Sequence, residues 1–582
     1  MVVRRRQQRG HRYTESPILQ LALQGWRSRM VGLLLMAAFF ALLMRAFYLQ
    51  VINNDFLQEK GDSRYLRDIE ISASRGKVTD RHGDMLAVST PMRSIWAIPA
   101  DARAMSGEQK RQLSEMLDLK PRELDSRLAS EKTFVFVKRQ VPPQTAEQVV
   151  ALKLPGIHQE KEYRRYYPAG DMTAHLVGFT GVDDKGLEGV ELAFQQSLLG
   201  RAGARTVIRD RRGNIIEDVG ATRPPRDGND IVLAIDSKIQ YLAYSHLKAS
   251  VSEHKAKGGG IIVLDTRTGE LLALANWPTY NPNNRERLSG EQLRNRAVTD
   301  TFEPGSTLKP FTVALALEKG KYRYDSLVDC APGRITVGKA VISDSHPHGT
   351  LTVAQVIQKS SNVGTTKIAL SMPPQSMWEM FDDLGFGKVP QLGFPGEVTG
   401  RLRPWKNWKP IEQATMSYGH GISVSLIQLA RAYSVFARDG DLVPASLLRI
   451  DQPVTRGVSV FSAQTAREVR AMLELVVGPG GTAPKAAVPG YRVGGKTGTA
   501  HKLERGVYAN KYIASFVGIA PISDPRLVVA VMIDEPSGAA YYGGQIAGPI
   551  FSRVTAGALR TLGVAPDAPM QVAASTEAKG RL

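Results

Sequence analysis

An uncharged apolar run near the N-terminus constrains this chain more than any other feature. Residues 30–44 read MVGLLLMAAFFALLM, and RAFYLQV carries the run to residue 51. Twenty helical residues span about 30 Å, the thickness of a bilayer's hydrocarbon core. Residues 30–49 meet that length if Arg45 extends its charge to one interface. Trp26 and Tyr48 stand where interfacial aromatics belong. Arg4, Arg5, Arg6, Arg9, Arg12, Arg27 and Arg29 precede the run, with no lysine among them. Basic flanks stay inside. Residues 1–29 are therefore expected to form a cytoplasmic tail, 30–51 a transmembrane helix, and the remainder to lie outside. A cleaved signal peptide needs small residues in an A-x-A arrangement, but Phe39, Phe40, Leu42, Leu43 and Met44 crowd that position.

At 582 residues the chain has room for about two to four domains. Hydrophobic residues at 43% and charged residues at 23% match ordinary globular usage, which excludes a disordered polyelectrolyte and a polytopic membrane protein. The single cysteine, Cys330, excludes an internal disulfide framework and a Cys-based zinc cluster. A net charge of +19 points to an anionic partner or a membrane surface. The N-terminal arginines are already explained by membrane orientation. No helix-turn-helix, zinc finger or RNP motif follows, so no nucleic-acid partner is expected.

Residues 52–225 are polar and turn-rich, with glycines in Arg75-Gly76, His82-Gly83, Ala169-Gly170, Lys185-Gly186 and Arg212-Gly213. Strand-like pieces such as VFVKRQV from Val135 alternate with these turns. One amphipathic helix is predicted over 106–119. ATRPPRDGN, residues 221–229, reads as a linker. A second domain is predicted over 226–565, followed by a polar tail, 566–582. It opens with a strand (IVLAID), a helix from Ser237, and a hairpin formed by GGIIVLD and ELLALAN. Helices dominate from about Glu303 to Gly440. Strands return in YRVGGKTGTA, KYIASFVGIA and RLVVAVMID, and a helix near 550–562 ends the domain. Such an order suggests an α/β sandwich whose sheet collects strands from both ends of the domain.

Three short pieces carry chemistry. In Glu303-Pro304-Gly305-Ser306-Thr307-Leu308-Lys309, Ser306 opens an apolar helix that Gly320 ends, and Ser306 and Lys309 share one helical face. A lysine desolvated at a buried helix start has a lowered pKa and can act as a base. A serine hydroxyl needs such a base to become a nucleophile. The helix N-terminus offers N–H groups to an oxyanion. The second piece, Ser360-Ser361-Asn362, forms a turn between LTVAQVIQK and VGTTKIAL that presents Ser360 and Asn362 together. The third, Lys496-Thr497-Gly498-Thr499, lies on a strand. Its glycine permits close backbone approach, and its lysine and threonine hydroxyls can hold a carboxylate. Residues 490–497 also match the P-loop pattern G-x-x-x-x-G-K-T, but a P-loop requires a following helix, and TGTAHKLERGVY is a poor helix start. Each piece alone is weak. Their order and spacing together are those of active-site-serine penicillin-recognising enzymes, with Ser-Ser-Asn in place of Ser-Asp-Asn.

On these residues the chain resembles the class B penicillin-binding proteins, monofunctional peptidoglycan D,D-transpeptidases, and within them the division-specific, FtsI-type (penicillin-binding protein 3) member of Gram-negative bacteria. The likeness extends to RGKVTDRHGDMLA from Arg75, YRRYYPAG from Tyr163, GLEGVE from Gly186, TGELLALANWPTYNPNN from Thr268, MSYGHGISVSLIQLARAY from Met416 and YYGGQIAGPIF from Tyr541. It implies one transmembrane helix, a β-rich α+β pedestal over 52–225, and an α/β transpeptidase domain with an antiparallel sheet between helices, like serine β-lactamases. It implies that Ser306 attacks a D-Ala-D-Ala carbonyl while Lys309 takes its proton. The N–H groups of Ser306 and Thr499 would form the oxyanion hole, Ser360 and Asn362 would relay the proton and position the peptide, and Lys496, Thr497, Gly498 and Thr499 would hold the terminal carboxylate. No cofactor or metal is implied. The implied partners are peptidoglycan stem peptides, β-lactams, the SEDS-type polymerase FtsW and other divisome proteins at the inner membrane of the septum.

Rival readings are an elongation-type transpeptidase, a D,D-carboxypeptidase or serine β-lactamase with the same motifs, and a non-enzymatic membrane scaffold or sensor. A class A lactamase uses a further Glu for deacylation, and no convincing counterpart follows Asn362. His346-Pro347-His348 lacks further metal ligands, and Gly258-Gly259-Gly260 reads as the entry to a strand.

Overall fold

The computed structural model describes residues 25–57, 60, 66–209, 215–452, 454, 456–504, 506–538 and 541–568. The chain divides into two compact units, one of residues 1–71 and 202–225, the other of 72–201 and 226–582. The expected cytoplasmic arginines Arg4 to Arg12 and most of the C-terminal tail lie outside the described residues.

The first unit holds helix α1 (Gly25–Phe47), continued as a wider π-type turn over Tyr48–Ile52. The helix starts five residues ahead of the predicted span, and none of its residues is buried. Its length and composition suffice to cross a membrane. Arg27 lies over the Trp26 ring and Arg45 over the Tyr48 ring, at 5.5 and 5.6 Å, pairing the two terminal aromatics with cations. The same unit contains a three-stranded antiparallel sheet in the order Leu66–Ile71, Gly203–Arg209, Ile215–Arg223.

The second unit begins with strands β1 (Val78–Thr79), β2 (Met85–Ala97), β3 (Val135–Val141) and β4 (Ile157–Tyr166); β2 pairs with the other three. Strand β5 (Ile231–Val232) runs parallel to β1, so IVLAID contributes only its first two residues to a ladder. The predicted helix is Gly107–Met116, capped by reciprocal Ser106 and Gln109 bonds. Besides several single-turn helices, Pro121–Leu128 and Pro143–Ala151 escape the sequence reading. Each starts at a proline and lasts about two turns, too short for a 3.6-residue period to stand out. Ile95, Leu113, Val137 and Val149 join their faces into a small core. Elsewhere in the unit lies a buried ion cluster: Glu191 accepts from Arg75 Nε at 2.6 Å and from Arg165 Nε at 2.7 Å.

The unit continues with helix α2 (Ser237–Glu253) and strands β6 (Gly258–Asp265) and β7 (Leu271–Trp277), the predicted hairpin. Helices α3 (Lys309–Glu318), α4 (Val353–Lys359), α5 (Asn362–Leu370), α6 (Leu426–Ala437) and α7 (Ala463–Val477) follow. Strands β8 (Gly494–Glu504), β9 (Val507–Ala520) and β10 (Leu527–Asp534) precede α8 (Gly543–Thr561). Helix α8 begins seven residues before the predicted start and carries Pro549 inside it. The sheet is antiparallel throughout, in the order β7-β6-β10-β9-β8. Strands from both ends of the segment therefore meet, as the sequence suggested. Side chains alternate across a strand, and on β6 a Cβ at Gly259 would meet Leu247 of α2 while one at Gly260 would meet Leu426 of α6. Helices thus cover both faces, and every residue of β6 and β10 is buried. Strand β8 is one edge of the sheet, and its first half is buried.

Candidate active site

The nucleophile candidate sits at a junction of two helical geometries. Gly305–Leu308 is a 3-10 turn, and the α-helix proper starts at Lys309. Ser306 therefore does not open an α-helix as predicted. In a 3-10 turn, residues i and i+3 eclipse, so Ser306 stands over Lys309 more directly than an α-helix would place it. Gly305 has φ +56°, a conformation glycine tolerates. Its N–H donates to the Gly419 carbonyl at 3.1 Å, tying the turn to the loop ahead of α6. Helix α3 is buried around its circumference, with its own Phe311, Val313 and Ala316 each fully buried.

Lys309 is itself 0% exposed. Its Nζ donates to the Ser360 carbonyl and, at 3.1 Å, to Ser360 Oγ. Burial holds its pKa well below the ordinary lysine range, and the like charge of Lys496 pushes it the same way, while Asp344 opposes them. Ser360 ends α4 in the left-handed conformation, with φ 62° and ψ 40°. That turn aims both its carbonyl and its hydroxyl at Lys309. Ser361 then caps α5 by accepting from Gly364 N at 2.9 Å. Asn362, the first residue of α5, donates its amide to the Ser343 carbonyl at 2.8 Å.

The third motif lies within edge strand β8, which continues to Glu504. No helix follows Thr497 there, so the P-loop match lacks the phosphate-holding helix start that such a loop needs. Lys496 is 0% exposed, and burial lowers its pKa to about 7. Its ammonium donates to Thr497 Oγ1 at 3.4 Å. Thr499 Oγ1 accepts from Gly543 N at 3.1 Å, which anchors the start of α8 to the strand. A Cβ at Gly498 would lie 2.9 Å from the Pro304 carbonyl and 2.3 Å from Ser515 Oγ. The bare glycine lets the turn carrying Ser306 lean on β8, the close approach its position in the strand suggested.

The three motifs, scattered over nearly two hundred residues, thus converge: Lys309 bonds Ser360, Lys496 acts on Lys309, and the Ser306 turn leans on the strand of Lys496. Together they offer a half-buried hydroxyl, a desolvated amine within one turn of it, a second hydroxyl on that amine, and a second buried amine with two threonines on the sheet edge. Chemically, such a set can activate a serine and receive a carboxylate.

Residues invisible to motif reading complete the surroundings. Asp344 accepts from Ser361 Oγ at 2.7 Å, from Val363 N at 2.9 Å and from Asn362 N, and so holds the start of α5. Glu303 accepts from Gly421 N at 2.8 Å and from Tyr508 Oη at 3.0 Å. Asp344 has no partner close in sequence, whereas Glu303 adjoins the first motif and could have been questioned. Of the residues set aside earlier, His346 is exposed and Cys330 is buried with its thiol toward the Val328 carbonyl. Trp408 donates from Nε1 to the Arg403 carbonyl at 3.0 Å and packs partly on the core.

Comparison with known proteins identifies the domains of the chain. Residues 259–556 match the penicillin binding protein transpeptidase domain, and residues 70–233 match the penicillin-binding protein dimerisation domain. The chain is 46% identical over 548 residues to the probable peptidoglycan D,D-transpeptidase PenA of Neisseria gonorrhoeae, covering 93% of this chain and 94% of that one. It is 43% identical over 551 residues to the peptidoglycan D,D-transpeptidase FtsI of Escherichia coli, covering 93% of each. The apo structure of the TP domain of Burkholderia pseudomallei penicillin-binding protein 3 is 53% identical, with a TM-score of 0.54, covering 58% of this chain and 98% of that one. With the two domains in this order behind an apolar helix, the chain belongs to the class B penicillin-binding proteins, in the group of FtsI and PenA.

Proposed function

We propose that this protein is a peptidoglycan D,D-transpeptidase of the division septum, and that Ser306 carries its acyl-enzyme. The observation that supports this most is the state of Lys309: fully buried, one turn from Ser306, bonded to Ser360 and depressed in pKa. A lysine amine lowered in this way is a suitable base to take the Ser306 proton as the hydroxyl attacks the D-Ala-D-Ala carbonyl. Ser360 lies on the path by which that proton reaches the departing D-alanine, and Asn362 positions the donor peptide. Lys496, Thr497, Gly498 and Thr499 receive the terminal carboxylate, with the N–H groups of Ser306 and Thr499 facing the oxyanion. A stem-peptide amine then resolves the acyl-enzyme, whereas a β-lactam remains on Ser306. The test is covalent labelling by a fluorescent penicillin with mapping of the adduct: Ser306→Ala should fold and carry no label. Label surviving on another residue would refute the assignment.

We further infer that 226–565 form the catalytic domain, that 52–225 form a pedestal, and that α1 anchors the chain in the inner membrane with its N-terminus in the cytoplasm. A reporter active only outside the cytoplasm should work when fused after Gln50 and fail when fused before Arg29. The proposed activity is serine-type crosslinking without sugar-chain polymerisation, so glycan strands must be supplied by a membrane polymerase of the FtsW type and its divisome partners. With lipid-linked precursor the chain alone should make no glycan. With the polymerase, crosslinked product should form and disappear in Ser306→Ala while uncrosslinked glycan persists.

A further inference from the structure

Crosslinking leaves a proton unaccounted for. The acceptor amine of a stem peptide arrives as an ammonium, since an alkyl amine of this kind has a pKa of about 10.4. When it replaces Ser306 on the acyl group, the products are an amide, the Ser306 hydroxyl and one free proton. Lys309 can pass one proton from the attacking nitrogen back to Ser306. The other must leave the ammonium before it attacks, because only the neutral amine has a lone pair.

Beside the first motif lies a cluster to which the serine-lysine chemistry assigns no part. Segment 302–305 is laced to segment 419–424: Phe302 N–H donates to Val424 O at 3.0 Å, Gly421 N–H to Glu303 Oε1 at 2.8 Å, and Gly305 N–H to Gly419 O at 3.1 Å. His420 stands within this lacing, next to the turn that bears Ser306. Its ring packs between Tyr418 at 5.4 Å and Tyr508 at 6.0 Å, centroid to centroid. It is half-buried, and its ring nitrogens have no hydrogen-bond partner among the described residues. The groups that face it are Glu303 ahead of the turn, Lys309 from α3, His501 from β8, Tyr508 from β9 and Tyr418 from its own loop. Arg403 lies near Gly421 but is neutralised by Glu412. Burial, Lys309 and His501 all favour the neutral imidazole, against the carboxylate of Glu303.

We propose that His420 and Glu303 form the receiving site for the acceptor amine, Glu303 attracting the ammonium and His420 removing its surplus proton. The ammonium N–H bond breaks toward an imidazole nitrogen, the amine lone pair is freed to attack the Ser306 ester, and the imidazolium releases its proton to water. This rests on the transpeptidase reading and adds the acceptor half of the site to it.

The test uses the full chain in detergent with a thioester donor, and compares aminolysis with hydrolysis of the acyl-enzyme. Nα-acetyl-lysine serves as a cationic acceptor, and hydroxylamine as an acceptor already largely neutral at pH 7. In His420→Gln the aminolysis-to-hydrolysis ratio for acetyl-lysine should fall tenfold or more at pH 7. For hydroxylamine it should stay within about twofold of wild type, and the acetyl-lysine deficit should close as pH approaches about 10.4. In Glu303→Gln the half-saturating concentration of acetyl-lysine should rise at pH 7, with that of hydroxylamine unmoved. Equal losses with both acceptors, or no loss, overturn the proposal. A wild-type chain that forms no acyl-enzyme overturns the transpeptidase reading and this proposal with it. An acyl-enzyme whose aminolysis ignores His420 overturns the proposal alone.

Discussion

Lys496 offers a test in which stability and function move in opposite directions. Its side chain is 0% exposed, and burial lowers its pKa from 10.5 to about 7. At about 1.36 kcal/mol per tenfold change in proton affinity, that displacement amounts to about 5 kcal/mol. The sign follows from linkage. Between pH 7 and 10.5 the unfolded chain holds this proton and the folded chain has released it, so stability rises with pH across that window. Below pH 7 both states are charged and the folded state bears the full desolvation cost. Lys496→Met keeps a similar volume and removes the amine. The variant should therefore be more stable than wild type at pH 7, by up to about 4–5 kcal/mol. That advantage should shrink as pH rises and vanish near pH 10.5. Burial displaces Lys309 in the same direction in both proteins, so the difference between them reports Lys496 together with the push of its charge on Lys309. The assay is thermal unfolding of the full chain in detergent at one scan rate, from pH 7 to 10.5. Acylation by penicillin should fall about 30- to 150-fold in the same variant, the worth of a desolvated charge-assisted hydrogen bond. A stability difference that does not change with pH, or a wild type more stable at pH 7, would refute the reasoning.

Three further perturbations follow from the packing. Asp344→Ala strips partners from Ser361 Oγ, Asn362 N and Val363 N, and should cost about 1–3 kcal/mol in denaturation and slow penicillin acylation. Glu191→Gln leaves the buried Arg75 and Arg165 guanidinium groups without their shared counter-charge; unfolding measurements should record a loss of about 3–5 kcal/mol. Gly498→Ala drives a methyl against Ser515 Oγ and the Pro304 carbonyl, so acylation should collapse. Adding Ser515→Ala should not restore it, because the second obstacle is backbone.

Periodicity and breakers carried the elements that bury a continuous face. Strands β6 and β10, apolar up to their closing Asp265 and Asp534, and the helix from Ser237 were legible because sheet burial on both faces leaves a near-continuous hydrophobic run. The short helices Pro121–Leu128 and Pro143–Ala151 were not, since two turns offer only two or three apolar positions to a periodic reading. Ser306, Lys309, Ser360, Asn362 and Lys496 were legible as residue types at characteristic spacing, because the serine-lysine chemistry proposed for them admits few chemical substitutes.

What the sequence by itself determined is therefore the inventory: an apolar span of membrane length, the order of strands and helices, and the residue types of a serine-lysine site. What only the tertiary structure decided is which charges lose their water and which backbones touch. The 3-10 turn that stacks Ser306 over Lys309, the left-handed Ser360 that turns toward the ammonium, and the burial that lowers Lys309 and Lys496 all depend on neighbours far along the chain. So do Asp344 at α5 and His420 between Tyr418 and Tyr508. A pKa is set by surrounding volume and charge, and a hydrogen bond by position to a fraction of an ångström. Neither quantity is written in local sequence, because both arise from surfaces that meet only when the sheet closes over its helices.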